Sequence, residues 1–162
     1  MIRAIVLCVF GVLVVPACDG ADGGPACDPL IENAAALQAD EGLTFADGRV
    51  LASQDGRSVD LVAFKSGDSV DLKSRLRSGS TDRLPLRWFR DAGGQGIVYA
   101  SLTDVPDQAP TSDDLNLFVN HPQAGYGFTV ATTDSASYAR VWVQSVVGGA
   151  VTLQYQLHVP CE

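Results

Sequence analysis

The stretch Ala150-Val-Thr-Leu-Gln-Tyr-Gln-Leu-His-Val159 decides the fold of this chain. Its odd-numbered positions are apolar and the residues between them are mostly polar, the two-residue period of a strand with one buried and one solvated face. Upstream, Tyr138-Ala-Arg-Val-Trp-Val-Gln-Ser-Val146 is rich in β-branched and aromatic residues, and Gly148-Gly149 supplies a tight turn between the two segments. This region is therefore predicted to be an antiparallel pair, with Tyr155 in the core and His158 on the polar, solvated face.

The rest of the chain repeats this alternation of strands and turns. Ala46-Asp-Gly48 separates two short apolar segments as a hairpin turn. Ser58-Val-Asp-Leu61 recurs as Ser69-Val-Asp-Leu72 and fits two successive antiparallel strands. Further strands are predicted at residues 85–89, 97–102, 115–119 and 126–130, and residues 103–114 have the composition of a surface loop. The predicted fold is all-β, an antiparallel β-sandwich or open barrel of about nine short strands.

One short helix is the exception to this pattern. Asp28-Pro29 is typical of a helix start, with an N-cap residue followed by proline at the first helical position. The segment from residue 30 to residue 39 is therefore predicted to be helical and to end before Gly42.

The length and net charge of the chain limit the class of protein that it can be. A chain of 162 residues suits one domain with a hydrophobic core of its own. The whole chain carries 11 basic and 19 acidic residues, a net charge of −8. The first 17 residues contain one base, Arg3, and no acid, so the remainder has a net charge of 10 − 19 = −9. Such a surface repels phosphate backbones, so no nucleic-acid partner is expected.

The N-terminus is typical of an export signal. Residues 1–17 carry one base near the start and then a short apolar run that ends in small residues. Val15-Pro-Ala-Cys18 resembles the lipobox of bacterial lipoproteins, which implies cleavage before Cys18 and a lipid on its sulfur. An ordinary secretory signal with an incidental cysteine is the alternative. Residues 18–26, rich in Gly and Asp, form a predicted tether, and residues 27–162 a single β-rich domain. The implied location is the bacterial cell envelope, with a membrane reached through the lipid anchor and the outer membrane or surface favoured.

The remaining cysteines predict a disulfide. If Cys8 leaves with the signal and Cys18 is acylated, Cys27 and Cys161 are left in an oxidising compartment, where they should pair. Cys27 has no Cys or His neighbour at ligand spacing, and no metal site is predicted. Their bond would connect the start of the domain to the end of its last strand.

Three C-terminal segments resemble a known family. Phe128-Thr-Val-Ala-Thr-Thr-Asp134, Tyr138-Ala-Arg-Val-Trp-Val143 and Val151-Thr-Leu-Gln-Tyr155 are similar to the closing strands of HmuY-like bacterial lipoproteins. The resemblance implies a β-rich envelope domain and, in some members, haem capture by paired His or Met side chains. After the signal this chain has no Met, and its histidines are His121 and His158. No haem ligand is carried over and no cofactor is predicted, and haem capture is kept as an alternative function.

Catalytic motifs are weak in this sequence. Gly67-Asp-Ser-Val-Asp71 lacks the second glycine of a nucleophile elbow, and the adjacent acids Asp113-Asp114 lie in a proline-containing loop where they are expected to be solvated. No phosphate-binding loop, dinucleotide fingerprint or zinc helix is present in the sequence. Binding is therefore predicted in preference to catalysis.

The candidate binding residues lie mainly on one strand. Tyr138, Arg140 and Trp142 alternate along it and should share a half-polar face, which places Trp142 either on a binding surface or in a structural position at a sheet edge. His121, in a predicted exposed turn, completes the set of candidates. The expected partner is a small ligand, a glycan or an envelope protein, and a purely structural or interaction lipoprotein is the alternative.

Overall fold

The computed structural model of the protein describes residues 31–52, 59–75, 83–114, 118–133 and 137–159. The predicted signal, lipidation at Cys18, tether and Cys27–Cys161 disulfide lie outside these ranges and remain predictions. The described residues form ten strands: β1 Ile31–Gln38, β2 Glu41–Leu43, β3 Val50–Ala52, β4 Leu61–Ser66, β5 Ser69–Ser74, β6 Leu86–Trp88, β7 Phe118–Val119, β8 Gly127–Ala131, β9 Tyr138–Val147 and β10 Ala150–His158. A 3-10 turn spans Leu102–Asp104.

The strands form two antiparallel sheets of five strands each. Sheet I has the order β1-β10-β9-β8-β6 and sheet II the order β3-β2-β4-β5-β7. Neither closes into a barrel, and β1 packs near β3 at one edge of the molecule while β6 lies near β7 at the other. The prediction of an all-β sandwich is confirmed, with ten described strands where about nine were expected.

The core lies between the two sheets and follows the predicted alternation. Val151, Leu153 and Tyr155 of β10 are fully buried, which confirms the inward position of Tyr155. Its ring meets that of Phe45 edge-on at 5.0 Å between centroids, so an aromatic contact connects sheet I to the segment that follows β2. The remaining core residues of both sheets alternate in the same way with outward-facing ones.

The predicted helix at residues 30–39 is wrong. Residues 31–38 form β1, which pairs in continuous antiparallel register with β10 from Ile31↔Leu157 to Gln38↔Ala150. Ala35 and Leu37 are buried while Ala34 and Ala36 are exposed, a two-residue period that the run of alanines conceals in the sequence. The helical propensity of alanine is outweighed because β1 completes the ladder and contributes buried side chains to the core.

The two copies of the Ser-Val-Asp-Leu pattern lie differently: of the first copy only Leu61 belongs to a strand, β4, and its Ser58 lies outside the described residues. The second copy opens β5, which pairs with β4 across the Gly67–Asp68 turn, and Leu61 and Leu72 are both buried in the core. The aspartates have a role that the sequence did not indicate. Asp60 accepts backbone N–H groups from Phe45, at 2.9 Å, and Thr133, at 2.7 Å, and thereby connects the ends of the two sheets.

The predicted strand at residues 97–102 is also wrong. Its residues belong to no strand: Val98 forms an isolated bridge with Tyr126, the residue before β8, and the 3-10 turn starts at Leu102. Val98 is 66% exposed, because the chain leaves the edge of sheet I here and crosses to its outer face. No helix in the described ranges is both long enough and apolar enough to cross a membrane.

Candidate functional site

A long segment, residues 99–114, crosses the outer face of sheet I and is called the strap from here on. Its apolar anchors are Leu102 and Val105, which are 3% and 1% exposed, and its 3-10 turn packs on β9 and β10. The strap comes close to the backbone of sheet I at Gly127 of β8. A Cβ added there would lie 2.7 Å from a methyl of Val105 and 2.8 Å from the ring of Tyr99. Glycine at this position therefore permits the strap to lie directly on the sheet.

Polar side chains of sheet I fix the strap along its length. The Thr129 hydroxyl, fully buried, donates to the carbonyl of Gln108 at 2.8 Å. Arg87 on β6 donates from Nε to both carboxylate oxygens of Asp114, at 3.0 and 3.1 Å, and from Nη1 to Gln108 Oε1 at 3.0 Å. The strap is thus held by apolar contacts at one end and by a charged pair at the other.

Between these ends lies a cluster of titratable groups. The rings of Tyr138 and His158 stack with their centroids 4.8 Å apart and their planes inclined by 6°. Asp107 of the strap accepts the Tyr138 hydroxyl at 2.6 Å and lies 3.4 Å from His158 Nε2. The strap therefore places one carboxylate against both rings of the stacked pair.

Burial controls the protonation of this cluster. Burial, followed by the adjacent Asp107 carboxylate, raises the pKa of Tyr138 well above its ordinary value. Burial also lowers the pKa of His158, assisted by the Arg140 guanidinium and opposed by Asp107. Near neutral pH the cluster accordingly holds a neutral phenol and a neutral imidazole.

Arg140 and Trp142 contact the strap as well. Arg140 donates from Nη1 to the Val105 carbonyl at 3.3 Å, and its other terminal nitrogen donates to Gln156 Oε1. Trp142 Nε1 donates to the Tyr99 carbonyl at 3.1 Å. The three predicted candidates on β9, Tyr138, Arg140 and Trp142, thus share one face as expected, and all three are partly buried.

The prediction that the polar face of β10 is solvated is wrong at its C-terminal end. His158 is 6% exposed and Gln156 is 8% exposed, because the strap and its hydrogen bonds cover this part of sheet I. Asp107 and Gln108 were not identified from the sequence as site residues. The one sequence signal was the apolar pair Leu102 and Val105 at the start of a polar loop, which indicates a segment anchored to the body of the protein.

The other half of the outer face, over β1 and β10, is open. A shallow groove of about 310 Å³ lies here, lined by Glu32, Asn33, Ala34 and Gln154. Gln154 is the cross-strand partner of Trp142, so the groove and this tryptophan lie on adjacent strands of one face. An aromatic side chain, an amide and a carboxylate from three adjacent strands therefore share the outer face beside the strap.

His121 lies elsewhere, at sheet II. Its Nδ1 is 2.8 Å from the Ser69 hydroxyl and 3.7 Å from a carboxylate oxygen of Asp71, and the same oxygen accepts the His121 backbone N–H at 2.7 Å. A serine, a histidine and an aspartate are thus together, but both partners face one ring nitrogen. Catalytic triads use the two ring nitrogens separately. Ser69 also donates its proton to the Ser66 carbonyl, which makes the hydroxyl an acceptor toward His121.

The two histidines have separate partners in different sheets, His121 at β5 and His158 at β9 and β10. The structure therefore does not bring them together as a ligand pair. Across the part of the chain that the structure describes, no group of three His, Cys, Asp or Glu side chains could hold a metal ion.

These features define a β-sandwich with a strap sealed over half of one outer face and a groove beside it. Comparisons of the chain with family models, with curated proteins and with solved structures find no match.

Proposed function

We propose that this chain is an exported bacterial lipoprotein whose β-sandwich binds a glycan without catalysing a reaction. The export signal of residues 1–17 and the lipobox ending at Cys18 support the envelope location. The lipid would hold the domain at a membrane, and the Gly- and Asp-rich segment of residues 18–26 would separate the domain from that membrane.

The observation that carries the binding proposal is the groove on the open half of sheet I. Glycan sites combine an aromatic surface for the sugar ring with amide and carboxylate groups for its hydroxyls. The groove offers the amide of Gln154 and the carboxylate of Glu32, and Gln154 is the cross-strand partner of Trp142. Trp142 is held by its Nε1–H bond to Tyr99, so its ring is positioned before a ligand arrives.

The chain contains two tryptophans, and this makes the proposal directly testable by fluorescence. The purified protein would be screened against a glycan array, and each hit titrated while tryptophan emission is followed. Trp142→Ala should abolish binding. Trp88→Phe is the matched control, because Trp88 packs against the core on β6 beside Tyr126, with ring centroids 5.9 Å apart, and should leave affinity unchanged.

Two outcomes would contradict the proposal. The first is a set of glycan hits whose affinity is unaffected by Trp142→Ala, Glu32→Gln and Gln154→Ala. The second is a saturable Soret shift on titration with haemin and an empty glycan array, which would favour the haem capture that the HmuY-like resemblance implies. His121→Ala and His158→Ala would then identify the ligand.

A further inference from the structure

The four strands at the edges of the two sheets differ greatly in length. In the described part of the chain, β3 and β6 have three residues each and β7 has two, whereas β1 has eight. Short edges are one of the means by which proteins prevent pairing with other chains, and lysine, proline and bulges are others. The sequence of β1, Ile-Glu-Asn-Ala-Ala-Ala-Leu-Gln, contains no lysine and no proline, and its pairing with β10 is continuous without a bulge.

The register identifies which backbone groups of β1 face outward. Ala150 is paired with Val147 across the two-residue turn of β9 and β10, so its backbone groups bond toward β9. Its partner on the other side, Gln38, therefore faces away from β10, and its N–H donates to the carboxylate of Glu41 at 2.7 Å. By the alternation of an antiparallel ladder, Ala36, Ala34 and Glu32 also present their N–H and C=O groups to the open edge.

This edge is complementary to itself. In an antiparallel pair of two β1 strands with Ala34 opposite its own copy, Glu32 is opposite Ala36 of the second copy, and all three outward-facing residues of each strand are paired. Three such pairs supply about six backbone hydrogen bonds. The side chains that meet are alanines or an alanine and a glutamate, and the two Glu32 carboxylates stay about four residues, or ~13 Å, apart. Shifting the register by two residues in one direction would use Gln38, whose N–H is already bonded. Shifting it by four residues in the other direction would place the two Glu32 side chains opposite each other.

We propose that the β1 edge is the docking surface for a second copy of this chain, which joins two sheets I into one continuous ten-stranded sheet about a two-fold axis at Ala34. The neighbouring strand of sheet II supports the same contact, because Val50 on β3 is 38% exposed at this edge of the sandwich. The pairing uses backbone groups, so the groove on the outer face stays open. The inference goes beyond the proposed glycan binding and does not rest on it.

Cysteine cross-linking in cells tests this pairing on the full-length chain. In a hydrogen-bonded antiparallel pair the opposed Cα atoms are about 5.5 Å apart, within the range that a disulfide spans. Ala34→Cys should therefore give a covalent homodimer on a non-reducing gel after mild oxidation. Glu32→Cys and Ala36→Cys should each remain near background alone and should cross-link when the two variants are co-expressed.

The unsubstituted chain and Val147→Cys serve as controls, since Val147 is 73% exposed at the far end of β9 and reports random collisions. A dimer band for Ala34→Cys no stronger than that for Val147→Cys would overturn the proposal. Efficient cross-linking of Glu32→Cys alone would overturn the proposed register and with it the two-fold axis at Ala34.

A second measurement uses no added cysteine. Light scattering of the full-length chain in detergent should give the mass of two chains for the unsubstituted protein and for Ala34→Ser. Ala34→Pro should give the mass of one chain, because it removes an N–H that β10 does not use. A single-chain mass for the unsubstituted protein would overturn the proposal whatever the proline variant does.

Discussion

The two halves of the outer face of sheet I have similar strand patterns and very different surroundings. Over β8 and β9 the strap covers polar residues such as Thr129, which is fully buried. Over β1 and the adjoining part of β10, Glu32 and Ala34 are exposed and line an open groove. The difference teaches that the period of a strand determines which side chains share a face, whereas a segment distant in sequence determines whether that face meets solvent.

The largest effect is expected from the predicted disulfide, whose cysteines precede β1 and follow β10 in the sequence. Cys27 and Cys161 lie outside the described residues, so their pairing remains a prediction from the sequence. The bond would close a loop of 161 − 27 = 134 residues, which corresponds to about 4–5 kcal/mol in the chain-entropy model.

Denaturant unfolding of the oxidised protein and of the double variant Cys27→Ser/Cys161→Ser measures this contribution. A pair of free thiols at positions 27 and 161 in the envelope-derived protein, or equal unfolding free energies for the two proteins, would contradict the prediction.

The second prediction compares the two halves directly. Gly127→Val should destabilise the protein by about 1–3 kcal/mol, because its side chain would overlap Val105 and Tyr99 and displace the strap. Ala36→Val adds bulk to the same face of the same sheet on the open half, where Ala36 is exposed. It should change the free energy of unfolding by less than ~0.5 kcal/mol. Equal effects of the two substitutions would show that the strap is not held where the structure has it.

The sequence predicted the fold because the local pattern and the tertiary role agree over most of the sandwich. Tyr155 and its neighbours on β10 alternate clearly, and the turn at Gly148-Gly149 fixes their pairing with β9. β1 was predicted as a helix from the helix-start pattern Asp28-Pro29, and the adjacent Ala34, Ala35 and Ala36 hide the alternation that its pairing with β10 imposes.

The site was predicted only in part. Tyr138, Arg140 and Trp142 do share a face, since this follows from the period of β9. Their partners come from the strap, and no local rule connects a loop at residues 99–114 to a strand some 35 residues later. His158 was expected in solvent for the same reason, because Asp107 and the strap that buries it are distant in sequence.

A smaller effect is expected from a single hydrogen bond of the strap. Thr129→Val keeps the shape of the side chain and removes the donor to the Gln108 carbonyl, which should cost about 0.5–1.5 kcal/mol. Thr152→Val makes the same chemical change on β10, on the open half, where the side chain is only partly buried. Urea unfolding of both variants should give a loss for Thr129→Val and little or none for Thr152→Val. A loss in both would assign the effect to the sheet and not to the strap.

The smallest predicted effect is a pH dependence that belongs to the covered half. Folding lowers the pKa of His158, chiefly by burial, so the folded protein binds a proton there less readily than the unfolded chain does. The stability that this difference provides is complete above the ordinary histidine pKa of about 6.5 and is lost as the pH falls through the lower folded value. Asp107 opposes the shift and therefore limits its size.

The free energy of unfolding should thus fall between pH 7.5 and pH 5 with a slope to which His158 contributes. His158→Gln should flatten that slope, even though loss of the stacking on Tyr138 lowers stability at every pH. His121→Gln makes the same chemical change at sheet II, apart from the strap, and controls for the loss of a histidine as such. Equal slopes in the unsubstituted protein and in His158→Gln would mean that His158 is accessible to protons in the folded state. The strap would then not exclude protons from this half of the face in solution. The covered half and the open half of the face would differ only in how their side chains are packed.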